Sequence, residues 1–213
     1  MVSRDVIFWN VDTQADFMLP GGKLYVPGAE KLIPNLKRLV DAAREGRVFL
    51  VADACVHSPE DEEFKHWPPH CLAGTPGAEM IRETMTENPF IIPNQAGVKL
   101  PDNPEAYGHV LLEKNTLDVF DNPNTEELLK RLNPRAEYVV FGVVTEYCVR
   151  LAAKGLLERG HHVALVTDAI QTLNPADGKH ALEELTGMGA RLIITDEALA
   201  LLNQGTTAGR AGI

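Results

Sequence analysis

Short apolar runs along the 213-residue chain end in side chains able to do chemistry. Asp12 follows the run Asp5–Val11, and Asp53, Cys55 and His57 lie in and just after Arg47–Val56. Lys114 closes His109–Lys114, and Cys148 comes shortly after Tyr138–Val143. In an open parallel sheet, ligands bind beyond the carboxyl ends of the strands. A carboxylate, an ammonium and a thiol arriving at that edge make a set for nucleophilic acyl transfer. With Thr145 as the cap, Cys148 lies in a first helical turn, where free N–H groups and the helix dipole favour an anion. That placement lowers a thiol pKa, and the Lys114 ammonium lowers it further. Asp12 would take and return protons during the transfer. Each residue also has a plainer use: Cys148 as a small buried apolar group, Asp12 as a cap, Lys114 as a solvated charge. Three coincident placements at one edge favour the hydrolase.

The elements that must position them alternate strand with helix. Asp5–Val11 reads as a buried strand and 28–45 as a helix, with Leu32, Ile33, Leu36, Leu39, Val40 and Ala43 on one face and Gly46 as its stop. Arg47–Val56 is the second strand. A stretch rich in Pro, His and acidic residues follows from His57 to about Thr75, too long to be a mere connection. Then come a short helix over 77–84, a third strand His109–Lys114, a helix over 124–132 and a fourth strand Tyr138–Val143. A helix over 145–159, a fifth strand His162–Thr167, a helix over 175–186, a sixth strand Arg191–Thr195 and a last turn over 197–202 complete the pattern. The final nine residues should fray. Repeated βα units imply an α/β fold: one mainly parallel, six-stranded sheet with helices on both faces, in one domain spanning 1–213.

Composition narrows the partners. Hydrophobic residues make up 45% and charged residues 23%, which fits a chain with a sizeable core. Twenty Lys and Arg stand against 30 Asp and Glu, a formal charge of −10 that argues against nucleic acid and anionic membranes. No apolar run approaches the ~18 residues of a membrane span. The beginning of the chain shows no signal-peptide pattern. The three cysteines (Cys55, Cys71, Cys148) form no pairing pattern and suit reduced thiols in a cytoplasm. Dinucleotide, P-loop, serine-hydrolase and zincin motifs are absent.

Three separated segments carry a resemblance: DTQADFMLPGG (12–22), HWPPHCLAGTPGAE (66–79) and GVVTEYCV (142–149). Together they resemble nicotinamidases of the isochorismatase-like cysteine hydrolase superfamily, over nearly the whole chain. The resemblance implies the strand order 3-2-1-4-5-6 and the catalytic triad Asp12, Lys114 and Cys148. It implies a cis peptide at Val143–Val144, with the N–H groups of Val144 and Cys148 as the oxyanion hole. It also implies hydrolysis of nicotinamide to nicotinate and ammonia through a thioester, a place in NAD salvage, and a homo-oligomer. A small-molecule amide is then the partner, and Phe17 and Trp67 take the positions that line a flat aromatic substrate.

Members with that activity carry a divalent metal, here zinc or iron, on an Asp-x-His pair and a further histidine. His57 and His70 match. At the Asp position the ungapped register places Cys55, while Asp53 matches only with two residues inserted. Residues 53, 55 and 57 share one side of a strand, so periodicity does not choose; family ligand type leans to Asp53, with Cys55 as the alternative. His66 and Cys71 read as structural, and His109, His161, His162 and His180 as surface or strand-end residues. Gln14 lies near the site with no role assigned. Two other readings are a carbamoyl, ureido or other small-amide hydrolase on the same triad and a non-catalytic small-molecule-binding protein.

Overall fold

The computed structural model describes residues 3–204; the final nine residues, expected to fray, lie outside them. Seven parallel strands form one sheet: β1 (Ser3–Val11), β2 (Val48–Cys55), β3 (Phe90–Ile92), β4 (His109–Lys114), β5 (Glu137–Val143), β6 (His162–Gln171) and β7 (Arg191–Ile193). Their order is β3-β4-β2-β1-β5-β6-β7. The six expected strands therefore stand in the expected order. The seventh, β3, is a correction: it adds to the β4 edge, and its three residues between Pro89 and Pro93 are too few to show a period.

Every residue of β2 is buried, as a central parallel strand requires. A single-turn α1 (Ala15–Met18) follows β1. Side chains of β1 alternate between two cores. Val6 and Phe8 join Leu36 and Leu39 of α2 (Ile33–Arg44) and Leu202 of α6 (Thr195–Gln204) on one face. Ile7, Trp9 and Val11 join residues of α3 (Thr125–Leu129), α4 (Arg150–Glu158) and α5 (Pro175–Gly187) on the other.

Three helices differ from the sequence pattern. The stretch 28–45 opens as a tight turn over Ala29–Leu32 before α2 begins. No α-helix forms over 77–84; only Pro76–Ala78 makes a short turn. Here the backbone bonds elsewhere: Ala15 N donates to Glu79 O at 2.9 Å and Ile81 N to Thr13 O at 3.0 Å, which holds 79–81 extended beside 13–15. The stretch 145–159 divides into a wide turn, Thr145–Val149, and α4, with a kink at Tyr147 (φ −116°, ψ −105°).

Register gathers the site. Lys114 pairs with Cys55 across β4 and β2, while Val11 pairs with Asp53 on one side and Gly142 on the other. Strand spacing of about 4.8 Å then brings Asp12, Cys55, Lys114 and the turn after β5 within side-chain reach. Gly142 makes the last approach possible. Its φ is +123°, and a Cβ there would stand 2.0 Å from the Val11 carbonyl oxygen.

Candidate active site

Lys114 is the hub, only 1% exposed. Its Nζ lies 2.7 Å from Asp12 Oδ2, 3.1 Å from Cys55 Sγ, 3.7 Å from Cys148 Sγ and 3.3 Å from the Thr116 carbonyl oxygen. Asp53 Oδ1 is farther, at 3.9 Å. Burial works against the charge, but Asp12 above all, then Cys148, Cys55 and Asp53, holds the Lys114 pKa well above the usual lysine value. The ammonium therefore stays charged, and losing Asp12 would strand it.

Asp12 turns back at the end of β1 with φ +47°, its N–H donating to the Asp53 carbonyl at 3.1 Å. Asp and Asn are among the residues that tolerate this left-handed backbone. Its Oδ1 lies 3.6 Å from Cys55 Sγ, and its charge raises the Cys148 thiol pKa.

Cys148 sits in the turn after β5, 7% exposed. Val144, rather than Thr145, takes the cap position, and no side chain caps the turn. The Val143–Val144 peptide is cis. The direction of the thiol pKa corrects the sequence expectation. Burial raises it most, Lys114 pulls it down, and Asp12 pushes it up again, with a net shift well above the ordinary value. The resting group is a thiol, with the buried Lys114–Asp12 pair beside it.

The metal candidates divide. One ligand atom each from Cys55, His57 and His70 lie within 4.8 Å of one another. His70 Nδ1 is 2.9 Å from the Pro68 carbonyl; a carbonyl only accepts, so that nitrogen carries the proton and Nε2 keeps its lone pair. His57 Nδ1 faces Asp61 Oδ2 at 3.2 Å, and among the described residues neither of its buried ring nitrogens has a hydrogen-bond partner. His70 thus turns an unprotonated nitrogen to the group, oriented by the oxygen acceptor behind its other nitrogen. A thiolate and two imidazoles are a zinc-type donor set. The lean to Asp53 is not what the structure brings together. Asp53 is fully buried, its Oδ2 accepts the Trp9 indole N–H at 2.7 Å, and burial first, then the Asp12 charge, pushes its carboxyl well up.

Gln14, left without a role on sequence, clamps the Cys55 backbone from both sides. Its Nε2 donates to Cys55 O at 2.7 Å and its Oε1 accepts from Cys55 N at 2.8 Å. Asp16 does similar work for the other arm: its Oδ2 accepts from Cys71 N at 2.7 Å, fixing the left-handed Cys71 next to His70. Glu63 was also missed; it stands 3.8 Å from His70 Nε2, and burial raises its carboxyl. The Gln14 and Asp16 roles leave no spacing signal, because their partners lie 41 and 55 residues away.

The cavity over Cys148 is walled by Phe17, Leu24, Val26, Trp67, Leu117, Val144, Tyr147 and Leu173, with Cys55, Glu63 and His70 at its metal-candidate end. Phe17 rests against the His70 ring and Trp67 meets Tyr147 edge to face. His66, His162 and His180 are exposed, whereas His109 is buried and His161 half-buried.

A buried thiol, ammonium and carboxylate meet at the carboxyl edge of a parallel α/β sheet. Residues 7–197 match the family model described as the Isochorismatase domain, and the chain belongs to that family. It is 24% identical over 204 residues to the nicotinamidase of Escherichia coli, covering 85% of this chain and 91% of that protein. It is 27% identical over 193 residues to the nicotinamidase/pyrazinamidase of Mycobacterium tuberculosis, covering 86% and 95%. The crystal structure of the pyrazinamidase of Pyrococcus horikoshii in complex with zinc superposes with a TM-score of 0.72 at 29% identity, covering 89% of this chain and 99% of that one.

Proposed function

We propose that this protein is a cysteine-dependent amidohydrolase that converts nicotinamide and water to nicotinate and ammonia. The observation that carries the reading is the apolar, aromatic-walled cavity with Cys148 on its wall and the buried Lys114–Asp12 pair beside that thiol. Asp12 accepts the thiol proton as sulfur bonds to the carboxamide carbon and the carbonyl π pair moves to oxygen. The N–H groups of Val144 and Cys148 hold that oxyanion. When the oxygen pair returns, the C–N bond breaks and the Asp12 proton leaves with the nitrogen as ammonia. A water then gives a proton to Asp12 and attacks the thioester; the C–S bond breaks and sulfur recovers its proton. Lys114 pairs with Asp12 and steadies sulfur while it is anionic. The thiols are free and, among the described residues, no helix is long and apolar enough to cross a membrane. A cytoplasmic homo-oligomer in NAD salvage belongs to the same reading.

Cys55, His57 and His70 would hold one divalent ion, zinc before iron given the sulfur donor. Such an ion, when bound, supplies a Lewis-acid anchor for a ring nitrogen or its water. Phe17 and Trp67 bracket the ring. Among the described residues the cavity lining contains no arginine or lysine to receive a substrate carboxylate, which supports an uncharged aromatic amide over an N-carbamoyl acid. The other reading, a carbamoyl or ureido hydrolase on the same triad, is favoured by Cys55 standing at the family's Asp position. Ammonia release from a panel of aromatic amides and ureido compounds, with metal analysis of the same preparation, separates the two. Turnover of nicotinamide well above any ureido compound is expected; ureido turnover by metal-free protein overturns the assignment.

A further inference from the structure

One carboxylate beside the nucleophile has no part in the chemistry above. Glu146 lies two residues before Cys148, and it turns away from the cavity to the loop after β6. Its Oε1 accepts from Leu173 N at 2.9 Å and Asn174 N at 2.8 Å, and its Oε2 accepts from the Thr172 hydroxyl at 2.7 Å. Three consecutive residues are thus tied to one side chain by charge-assisted bonds, which are about twice as strong as neutral ones.

The same loop is fixed at two further points. Gln171 Nε2 donates to the Pro27 carbonyl at 2.7 Å, joining the loop to the segment that carries Leu24 and Val26 of the cavity wall. Gly178 of α5 packs directly on Thr172: a Cβ there would stand 2.4 Å from Oγ1. Leu173, in the middle, lines the cavity and yet remains 40% exposed. A large apolar side chain that is half in the cavity and half in solvent stands at the mouth. Its backbone N–H is one of the groups Glu146 holds.

We propose that Leu173 limits the size of ring the site accepts, and that Glu146 is a positioning residue that keeps Leu173 in register with the nucleophile turn. The inference rests on the aromatic-amide reading for its substrate. A second thiol-based readout makes it independent of that reading. The gate selects flat, uncharged, single-ring carboxamides, because a fused second ring would meet the Leu173 side chain. Glu146 acts only through the loop, so its loss frees the gate without touching the reacting atoms.

The experiment compares wild type, Leu173→Ala, Glu146→Ala, Glu146→Gln and the double Ala variant. In each, kcat/KM is measured for a fused bicyclic aromatic carboxamide and for nicotinamide. In parallel, the rate of Cys148 labelling is measured with a bulky N-aryl maleimide and with iodoacetamide. Leu173→Ala should raise both bulky-to-small ratios about tenfold or more, the worth of a few methylene contacts in a pocket. Glu146→Ala should move both ratios the same way by a smaller factor, and add nothing in the Leu173→Ala background. Glu146→Gln, which keeps the Oε1 acceptor, should restore most of the wild-type ratio. Unchanged labelling ratios in Leu173→Ala overturn the gate. Multiplying effects of Glu146→Ala and Leu173→Ala overturn the positioning role. If wild type hydrolyses no aromatic amide, the functional reading fails, and the labelling ratios alone still decide the gate.

Discussion

Two buried thiols share one ammonium: Cys55 at the end of β2, 3.1 Å from Lys114 Nζ, and Cys148 in the turn after β5, 3.7 Å away. By distance to the cation Cys55 has the better claim to be the nucleophile. Its surroundings assign it otherwise. Gln14 pins its backbone on both sides, and its sulfur lies with the nitrogens of His57 and His70. Cys148 instead rides on a kinked turn beside Val144. Burial raises both thiols, and Lys114 lowers both. The charge environment is therefore nearly common property, and the backbone setting separates the roles.

The comparison breaks most cleanly at Cys148. Cys148→Ala should reduce ammonia release from nicotinamide by about 10,000-fold or more, with the thermal midpoint nearly unchanged. A second change, Asp12→Asn, should then cost little extra, because members of one catalytic unit are strongly non-additive. Retention of a substantial fraction of the rate by Cys148→Ala would remove the nucleophile from the account.

Gly142→Ala comes next. The added methyl collides with the Val11 carbonyl and must part the end of β1, with Asp12, from the end of β5. A misplacement of about 1 Å at reacting groups is worth roughly a hundredfold in kcat. Unchanged kcat in a folded variant would show that the two strand ends need not touch.

Cys55→Ser sharpens the other side. Metal retained after dialysis against a mild chelator should fall well below wild type, while Asp53→Ala should keep it, and ammonia release should drop by about tenfold to a hundredfold. Loss of metal in Asp53→Ala alone would return the ligand role to Asp53.

The smallest effect at neutral pH belongs to His109, at the opposite end of β4 from Lys114. Burial first, with Arg44 adding to it, lowers its pKa from 6.5 to about 4. The unfolded chain binds the extra proton between those values, so stability is complete above pH 6.5 and falls as pH drops toward 4. The slope should cost about 3 kcal/mol over that window and be absent in His109→Gln, measured by urea unfolding at each pH. Equal slopes would mean that His109 is not desolvated, and activity at pH 7 should match in both.

The meeting of Asp12, Lys114 and Cys148 was legible because strand ends in a parallel sheet converge, so it needed only correct strand boundaries. Three-residue β3 and the false helix over 77–84 were not legible. One is shorter than any period, and the other is held extended by bonds to residues 13–15, which local propensity does not register. Which of Asp53 and Cys55 stands with the two histidines was not legible for a related reason. Both face the same side, and Asp53 Oδ2 instead accepts an indole N–H from Trp9, 44 residues away. The direction of the Cys148 pKa was missed because spacing shows a helix start but not how deeply the turn is buried.

In the proposed reaction acyl transfer runs through Cys148, while Cys55, nearer the same lysine, stays out of the covalent chemistry. Acid quench during nicotinamide turnover, followed by peptide mapping, tests it directly. The account predicts a nicotinoyl thioester on the peptide bearing Cys148 and none on the peptide bearing Cys55. An acyl group on Cys55, or steady turnover with no acyl group on either thiol, would contradict it.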